Sequence, residues 1–144
     1  GMNVMFHTFG AHPAACAAAN EVLRLLTDEN LLARAKVAGD ALQERLKAAF
    51  DNHPHVAEVR GRGLLQAIEI VADRGALEPF PVDANITNRV IGAALKRGVF
   101  FYGGGTGDVR DIVCMGPPFI IGDAEIDMMV RVLSESVDAV TQSK

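Results

Sequence analysis

Two pairs of short apolar runs, each pair interrupted by glycines, constrain the fold of this chain more than any other feature. Gly61-Arg62-Gly63 separates the runs of the first pair, and the segment Gly103–Gly107 separates those of the second. We interpret the first glycine segment as a bend or bulge within one long strand pair, and the second as the turn of a hairpin. The four predicted strands are residues 56–60, 64–71, 99–102 and 112–115.

Segments with helical hydrophobic spacing surround these strands and determine the predicted fold class. Asn52-His53-Pro54 ends the second segment, Gly98 suits a left-handed position after the third, and Asp123 is a predicted N-cap. The predicted helices run from Pro13 to about Leu26, from Leu31 to Phe50, from about Asn85 to Lys96 and from Asp123 to Val140. This order predicts an α+β fold, in which helices pack on one face of a small antiparallel sheet and an N-terminal arm and helix precede it.

The first 27 residues differ in character from the rest of the chain. We predict that residues 1–27 form an interface arm and connecting helix, and that residues 28–144 form a small α+β domain. Alanines dominate the first half of the connecting helix, which allows its backbone to lie close to a neighbour. Without that neighbour the helix exposes apolar area, so we expect the isolated chain to self-associate.

Composition and charge exclude several classes of function. The 144 residues are 49% hydrophobic and 22% charged, as in ordinary globular domains, and the formal net charge is −4. This charge offers no basic surface to nucleic acid or anionic lipid, and no apolar run reaches membrane-spanning length. Cys16 and Cys114 are too few for a disulfide framework or a zinc site, so we expect a reducing, cytoplasmic setting.

Motifs that carry chemistry in isolation are weak in this sequence. Gly61-x-Gly63 lacks the third glycine of a dinucleotide loop, since Gln66 takes its place, and Gly103–Gly107 lacks the lysine of a phosphate loop. We interpret Gly103–Gly107 as a flexible hairpin tip, with a loop that reaches toward a site as the alternative. The four histidines have no ligand-like spacing, so no metal site is predicted, and we expect His53 and His55 to be solvated in a surface turn.

The lysines do not suit covalent chemistry. A nucleophilic lysine needs an apolar setting, whereas Lys36, Lys47, Lys96 and Lys144 lie on polar faces or at a terminus. No nucleophile–base pair can be assembled from the sequence either. We therefore predict that this chain contains no catalytic residue of its own.

A loop that leads into the first helix occupies Phe6-His7-Thr8-Phe9-Gly10-Ala11-His12-Pro13. Gly10 permits a backbone conformation closed to other residues, and Pro13 suits the first helical turn. We interpret His12 as a support of the loop rather than as a catalytic group. Thr8 has two interpretations, either a local cap or a hydroxyl that contacts a phosphate near the helix N-terminus.

This segment resembles the Thr-Phe-x-Gly-His-Pro motif of the class III aminotransferases, which are pyridoxal-phosphate (PLP) enzymes of fold type I. The resemblance covers essentially the whole chain, and its further landmarks occur in the family's order. They are Glu29-Asn30-Leu31-Leu32, Val59–Leu64, Lys96–Val99, Pro117–Ile121 and Ala124–Asp127. Since the motif lies past the middle of the family's chain, the resemblance implies that this sequence is the C-terminal, small domain of such an enzyme.

The resemblance implies transamination, in which an amino group moves from an amino acid or amine to a keto acid or aldehyde. It also implies a homodimer in which the threonine of the motif, here Thr8, contacts the phosphate of the PLP held by the other subunit. In the family, the lysine, the aspartate and the phosphate-binding residues that hold PLP precede this motif. We therefore expect that the PLP-binding large domain is missing here and that this chain is inactive by itself.

The resemblance further bears on the choice of substrate. Ornithine- and acetylornithine-type members carry a carboxylate-binding arginine at the position of Cys114, and a thiol cannot replace it. Arg110 is the nearest candidate for a substrate contact, and its alternative is a solvated loop arginine balanced by Asp108 and Asp111. Tyr102 either lines the same region or covers the sheet. Ornithine-type specificity is therefore not expected, and the amino donor and acceptor stay open.

Two alternatives to an aminotransferase stay open from the sequence. The first is a PLP-dependent aminomutase of the same family. The second is a non-catalytic α+β module that dimerises or binds a partner through the helix at residues 13–26.

Overall fold

The computed structural model describes residues 8, 10–107 and 109–142. Within these residues the chain forms four α-helices and four β-strands in the predicted order, with a short 3-10 turn, Val82–Ala84, before the third helix. The elements are α1 Pro13–Asp28, α2 Leu31–Phe50, β1 Val56–Arg62, β2 Leu65–Ile70, α3 Ile86–Lys96, β3 Tyr102–Thr106, β4 Val109–Met115 and α4 Asp123–Thr141. No helix among the described residues combines the length and the apolarity needed to cross a bilayer.

The four strands form one antiparallel sheet in the order β1-β2-β4-β3. Two hairpins, β1-β2 and β3-β4, lie side by side and are joined through the central pair β2-β4. Helix α3 connects them, as expected where two antiparallel hairpins are linked by a covering helix. The predicted α+β fold with a small antiparallel sheet is confirmed.

Helices α2, α3 and α4 pack on one face of this sheet and form the core with it. Side chains alternate between the two faces of a strand, and every second residue of β2 and β4 is buried under the helices. The stripe predicted for α4 is buried in the same core. The largest fully buried side chains are Phe50, Phe101, Leu42, Leu46, Ile68, Ile70, Ile126 and Leu133.

Helix α2 touches the β1-β2 hairpin at a pair of glycines. A Cβ built on Gly39 would lie 2.2 Å from the carbonyl carbon of Gly63, so no side chain fits at this position of α2. Gly63 itself has a φ of 55°, a left-handed conformation that glycine adopts without a steric penalty. The close approach of helix and turn therefore requires glycine at position 39, and the left-handed backbone of the turn favours glycine at position 63.

Helix α1 is attached to this domain in a different way. None of its residues is buried, whereas α2 contributes five residues to the buried set. Asn30 joins the two helices in a left-handed conformation, with a φ of 51°. The division into an arm at residues 1–27 and a domain at 28–144 stays a prediction; residues 1–7, 9, 108, 143 and 144 lie outside the described part of the chain.

The glycine run after Tyr102 is not the turn that its composition predicts. Residues 102–106 form β3, and the chain turns after it, at Gly107. The glycines are required because β3 lies very close to β4: a Cβ on Gly104 would be 2.8 Å from Cys114 Sγ, and one on Gly105 would be 2.2 Å from the Val109 carbonyl oxygen. The predicted hairpin exists, but residues 99–101 precede its first strand instead of forming it.

Two further boundaries differ from prediction. Gly61 and Arg62 belong to β1, and the residues Gly63 and Leu64 form a two-residue hairpin turn rather than a bend within a strand pair. The N-cap of α4 is Gly122, not Asp123, because the Glu125 carboxylate accepts a hydrogen bond from the Gly122 backbone N–H at 3.1 Å. The left-handed Gly98 after α3 is confirmed, with a φ of 87°.

Candidate functional site

The sheet face opposite the helices is the candidate site, and we call it the open face. Its side chains keep partial or full exposure at most positions, while their strand neighbours are buried under the helices. Leu65, for example, is 72% exposed, whereas the side chain of Ile68 is fully buried. A sheet that leaves one face uncovered in this way offers that face to something outside the described chain.

One row of residues crosses the open face from edge to edge. Arg60 of β1 pairs with Ala67 of β2, Ala67 pairs with Cys114 of β4, and Cys114 pairs with Tyr102 of β3. The two central positions carry small side chains, and the two outer positions carry long ones. We call this row the trough, after its small central residues Ala67 and Cys114, and Arg60 and Tyr102 lie at its ends.

Arg60 lies in a cluster of three charges at one end of the trough. Its Nη1 is 2.7 Å from Glu58 Oε2 and 2.5 Å from Glu69 Oε2. Glu58 and Glu69 are directly paired in the register, and the guanidinium between them offsets the repulsion of two opposed carboxylates. The hydrogen bond to Glu69 is the largest cause that raises the pKa of Arg60, so the guanidinium is charged at neutral pH.

Aromatic rings line the other end of the trough. Phe100 and Tyr102 meet edge to face, with ring centroids 5.5 Å apart and planes at 81°. Both side chains are largely exposed, at 64% and 69%. Tyr102 therefore lies beside Cys114 on the open face, a position that fits both of the roles that the sequence left open for it.

Thr8 lies in the loop that leads into α1. It is exposed in a turn, and its hydroxyl has no hydrogen-bond partner among the described residues. His12 is the N-cap of α1 and Pro13 occupies the first helical turn, as predicted, so Thr8 does not cap this helix.

Ala11 carries a strained backbone in the same loop. Its φ of 58° is left-handed, a conformation that costs a residue with a Cβ about 1 kcal/mol or more relative to glycine. The resembling motif, Thr-Phe-x-Gly-His-Pro, has glycine at this position, next to the Gly10 of this chain. The prediction that Gly10 itself needs an unusual backbone angle stays untested, because Phe9 lies outside the described residues.

Arg110 bridges the β3-β4 turn and the loop before α3. Its Nη1 donates to the Gly107 carbonyl at 3.1 Å and its Nη2 donates to the Phe80 carbonyl at 2.7 Å. Its Nε is buried and has no hydrogen-bond partner among the described residues. Arg110 is therefore half-buried and bound to the backbone, and the alternative of a solvated loop arginine is wrong.

The acidic neighbours proposed for Arg110 do not surround it as expected. Asp111 is buried and accepts a hydrogen bond from Thr87 Oγ1 at 3.2 Å on the helix-covered face. Asp108 lies outside the described residues. Arg110 and Cys114 lie four residues apart on β4, about 13 Å along the strand at 3.3 Å per residue.

The prediction that His53 and His55 are solvated is wrong. His53 Nδ1 accepts the His55 backbone N–H at 3.1 Å, and its Nε2 lies 3.2 Å from Asp138 Oδ1 on α4. His55 Nδ1 lies 3.2 Å and 3.0 Å from the carbonyl oxygens of Val71 and Ala72. Both rings are half-buried and tie the α2-β1 turn to its surroundings, so their role is structural.

The described residues hold no group of three or more potential metal ligands among His, Cys, Asp and Glu. Lys36, Lys47 and Lys96 are exposed, and Lys36 is paired with Asp40 at 2.7 Å. The described part of the chain thus offers a cofactor such as PLP one free hydroxyl at Thr8 and no buried lysine. That donor set fits a single contact with a phosphate group, and it does not fit a complete cofactor site.

The sequence interpretation did not single out Arg60 as a site residue. Its position became apparent only from the register, which places it in the row of Cys114 although 54 positions separate them in sequence. A signal was present nonetheless. Glu58, Arg60 and Arg62 alternate with period two, as charged residues do on the uncovered face of a strand.

Comparison with known proteins gives one consistent result. The family model described as Aminotransferase class-III matches residues 5–137. An uncharacterized aminotransferase of Schizosaccharomyces pombe is 40% identical over 135 residues, which cover 92% of this chain and 29% of the relative. The 4-aminobutyrate aminotransferase GabT of Escherichia coli is 32% identical, with 94% of this chain and 30% of the relative covered. The chain thus spans about 30% of the length of the curated relatives it matches.

Solved structures agree with the sequence relatives. A transaminase from a study of ancestral reconstruction superposes with a TM-score of 0.89 at 38% identity, covering 99% of this chain and 30% of that one. An omega transaminase from Pseudomonas jessenii, in complex with PMP, has a TM-score of 0.85 at 31% identity and covers 96% of this chain and 29% of that one. The fold described above is therefore shared with solved transaminases over nearly all of its length.

Proposed function

Since the chain belongs to the class III aminotransferases, we propose that it acts as the C-terminal part of a PLP-dependent enzyme that transfers an amino group from an amino acid or amine to a keto acid or aldehyde. The observation that carries the proposal is the match of residues 5–137 to the family together with the coverage of about 30% of each relative. The remaining part of such an enzyme would supply the large domain and the lysine that holds PLP.

The proposal gives Thr8 the role of a phosphate contact. Its exposed hydroxyl, without a partner among the described residues, supports this role, as does the match of Thr8 itself to the threonine of the motif, although Ala11 stands at the motif's glycine. A hydroxyl near a helix N-terminus donates to an anion in a field that favours negative charge. The chemistry that bound PLP supplies is the transfer of an amino group between donor and acceptor. In this proposal Thr8 orients the phosphate of that group from a neighbouring subunit of a homodimer.

The open face contributes the substrate side of the proposed site. Cys114 occupies the position at which ornithine-type members carry an arginine, and the small side chains of the trough leave room for a substrate. The relatives named above include an enzyme named for 4-aminobutyrate and a structure named an omega transaminase. Both names support donors whose amino group lies away from a carboxylate, and the donor of this protein is proposed to be of that kind.

Arg110 stays a proposed substrate contact, but its hydrogen bonds support that role less well than the exposed hydroxyl of Thr8 supports phosphate binding. To reach a substrate it must release the carbonyl of Phe80 or of Gly107.

The free thiols of Cys16 and Cys114 support the cytoplasmic setting proposed from the cysteine count.

The first test compares the 144-residue chain with the complete gene product. PLP is titrated into each protein, and binding is followed by the visible absorbance of the cofactor. We expect binding and amino transfer from the complete protein alone. A gene that encodes no PLP-binding domain upstream of this segment, or a complete protein that binds no PLP, would refute the proposed function.

A second test addresses Thr8 in the complete enzyme. Thr8→Val removes one hydrogen bond to a charged group, which corresponds to a PLP dissociation constant about tenfold higher or more. Thr27→Val is the matched control, since Thr27 is exposed at the other end of α1 and its hydroxyl donates to the Leu23 carbonyl of its own helix. An equal effect of both variants would contradict a specific role of Thr8.

Mixed dimers test whether Thr8 acts across the subunit interface. A subunit with Thr8→Val and an intact PLP-binding lysine is paired with a subunit that keeps Thr8 but lacks that lysine. If Thr8 acts across the interface, the single remaining PLP site receives the threonine and binds PLP as tightly as the wild type. If the site instead shows the weak binding of Thr8→Val, the contact lies within one subunit.

A non-catalytic module is the second candidate, and one observation favours it. Val22 and Leu23 of α1 are 55% and 61% exposed, an apolar surface typical of a helix that binds a partner. Light scattering of the chain at high concentration tests this surface, with association as the expected result. Association without any PLP-dependent activity of the complete gene product would favour the module over the enzyme.

A further inference from the structure

We propose that an apolar groove between α2 and the β1-β2 turn, which we call the turn groove, is the docking site for the part of the complete polypeptide that precedes this chain. The existence of that part rests on the proposed function and on the coverage of about 30% of each curated relative. The docking site itself is indicated by three large apolar side chains that stay exposed around one groove, namely Leu32, Leu65 and Phe119.

The turn groove is built into the packed domain. It has a volume of about 680 Å³, and its three walls are α2 with Leu32, the β1-β2 turn with Leu65, and the loop after β4 with Phe119. The close contact of Gly39 with Gly63 holds the first two walls together. The groove therefore exists before any partner binds to it.

The apolar side chains of the turn groove are unusually accessible to water. Leu65 is 72% exposed, Leu32 is 66% exposed and Phe119 is 39% exposed. A single exposed leucine is normal on a protein surface, whereas several around one concave surface mark an interaction site. Covering them removes apolar area from water, which favours association.

The cavity at the other end of the sheet has the opposite character. It measures about 350 Å³, and its polar lining includes Thr87, Asn88 and Asp111. The register separates the two ends, because β2 begins at Leu65 opposite the end of β4, whereas Asp111 lies near the start of β4. Polar groups of this kind are satisfied by water. The apolar end of the sheet is therefore the end that we expect to be covered.

The position at which the chain enters the domain favours the preceding polypeptide as the occupant. Asn30 joins α1 to α2, and Leu32 lies in the first turn of α2. The 16 residues of α1 span about 24 Å, so the polypeptide before α1 is tethered about one helix length from the turn groove. A tethered segment has a high effective concentration at a nearby surface, which favours it over a second copy of the chain.

Arg62 adds a charge requirement for the occupant. This arginine is exposed at the turn groove and has no ion pair among the described residues, whereas Lys36 on the wall formed by α2 is paired with Asp40 at 2.7 Å. A carboxylate on the occupant would complement Arg62. The segment that fits is therefore apolar where it meets the leucines and acidic where it meets the arginine.

Thiol labelling of the complete protein tests whether the groove is covered. Leu32→Cys and Leu65→Cys are made singly, and Leu95→Cys is the matched control, since Leu95 is 57% exposed on α3 and does not line the groove. Alkylation by iodoacetamide is followed at each new cysteine by peptide mass spectrometry, in native and in urea-unfolded protein. Relative to the unfolded rate, we expect both groove thiols to react about tenfold or more slowly than the control thiol. Equal rates at all three positions would refute the proposal.

Arg62→Glu tests the acidic edge of the occupant in the Leu65→Cys protein. Two facing carboxylates weaken the contact, so labelling of the groove thiol should become about threefold to fivefold faster. A direct effect of the new carboxylate on the thiolate would slow the labelling instead, so the sign of the change separates the two causes. Lys96→Glu, at an exposed lysine of α3, is the control and should change nothing. Equal results for both charge variants would refute the charge requirement.

Dilution identifies the occupant of the groove. Protection by the same polypeptide does not depend on protein concentration, whereas protection by a second copy is lost as the copies dissociate. Protection that persists after the protein has become monomeric would support the proposal, and protection lost on dilution would overturn it.

The same measurements separate this inference from the proposed function. A complete protein that transfers amino groups but labels both groove thiols as fast as the control keeps the function and refutes the docking site. A complete protein that protects both thiols but binds no PLP refutes the function and keeps the docking site. A gene that encodes no segment before this chain would refute both.

Discussion

The proposed domain, described at residues 28–107 and 109–142, and the proposed arm, described at residues 8 and 10–27, differ in what stabilises them. The domain buries a continuous core between one sheet face and three helices, with Leu42, Ile68 and Leu133 fully enclosed. The arm buries no residue of α1, carries a left-handed Ala11, and places its charged side chains in exposed ion pairs. The comparison indicates that the domain is stabilised by its own contacts, whereas α1 buries none of its residues against the rest of the described chain.

The largest expected effect tests the core directly. Ile68→Ala removes a fully buried side chain beneath the helices and should lower the free energy of unfolding by about 2–5 kcal/mol. Leu23→Ala, at an exposed position of α1, is the control and should change it by less than about 0.5 kcal/mol in the isolated chain. Urea denaturation measures both. Similar losses for the two variants would break the comparison between domain and arm.

The second effect tests the contact between α2 and the β1-β2 hairpin. Gly39→Ala places a methyl group against the Gly63 backbone and should cost about 1–3 kcal/mol of stability. Gly92→Ala is the matched helical glycine, since a Cβ there meets no atom within 4 Å. It should stabilise α3 by about 0.5–1 kcal/mol, because alanine loses less conformational entropy in a helix. A stabilised Gly39→Ala variant would show that α2 does not lie on this turn.

The third effect concerns the strain in the arm. Ala11→Gly relieves the left-handed backbone at Ala11 and should favour the ordered loop by about 1 kcal/mol. Hydrogen exchange of the loop amides should slow by up to about fivefold, with no change in the amides of the sheet. Faster exchange in the loop would mean that the added flexibility of glycine outweighs the relief of strain.

The smallest effect concerns the charges of α1. The hydrogen bond from Arg24, with Nη2 2.5 Å from Glu21 Oε1, lowers the pKa of Glu21 below its usual value. A lowered carboxyl pKa stabilises the folded state above the unfolded pKa of 4.5, and this contribution disappears as the pH falls through the folded pKa. Circular dichroism should therefore show a slight loss of helix on acidification below about pH 4.5. Glu21→Gln should abolish this part of the acid dependence, whereas Lys36→Gln, in the exposed pair of α2, should not.

The sequence predicted the fold better than it predicted the site, for physical reasons. Helical spacing and strand alternation are local patterns, so the order of the eight elements and the left-handed Gly98 could be inferred from them. Gly104 and Gly105 have low strand propensity, yet they lie in a strand that pairs with β4, and β4 lies too close to them for any side chain. The close approach of β4 to these glycines is a tertiary contact, and no local sequence pattern encodes it.

The errors at individual residues have the same origin. His53 was expected in solvent, but it is bonded to Asp138, which lies 85 residues further along the chain. The contact between Arg110 and the Phe80 carbonyl spans 30 residues, and the register that joins Arg60 to Cys114 spans three strands. Thr8 could be singled out only through the family motif, because its hydroxyl makes no hydrogen bond with the described residues.

The strand order has a consequence for how the molecule behaves among its own copies. The sheet ends at β1 on one side and at β3 on the other. Edge β1 carries Glu58, Arg60 and Arg62, charges that discourage a foreign strand from adding to it. Edge β3 carries three consecutive glycines and no charge between Tyr102 and Thr106, so its protection against intermolecular pairing comes from the poor strand propensity of glycine. Substituting β-branched residues along β3 would therefore raise its strand propensity and make this uncharged edge of the sheet a site of aggregation.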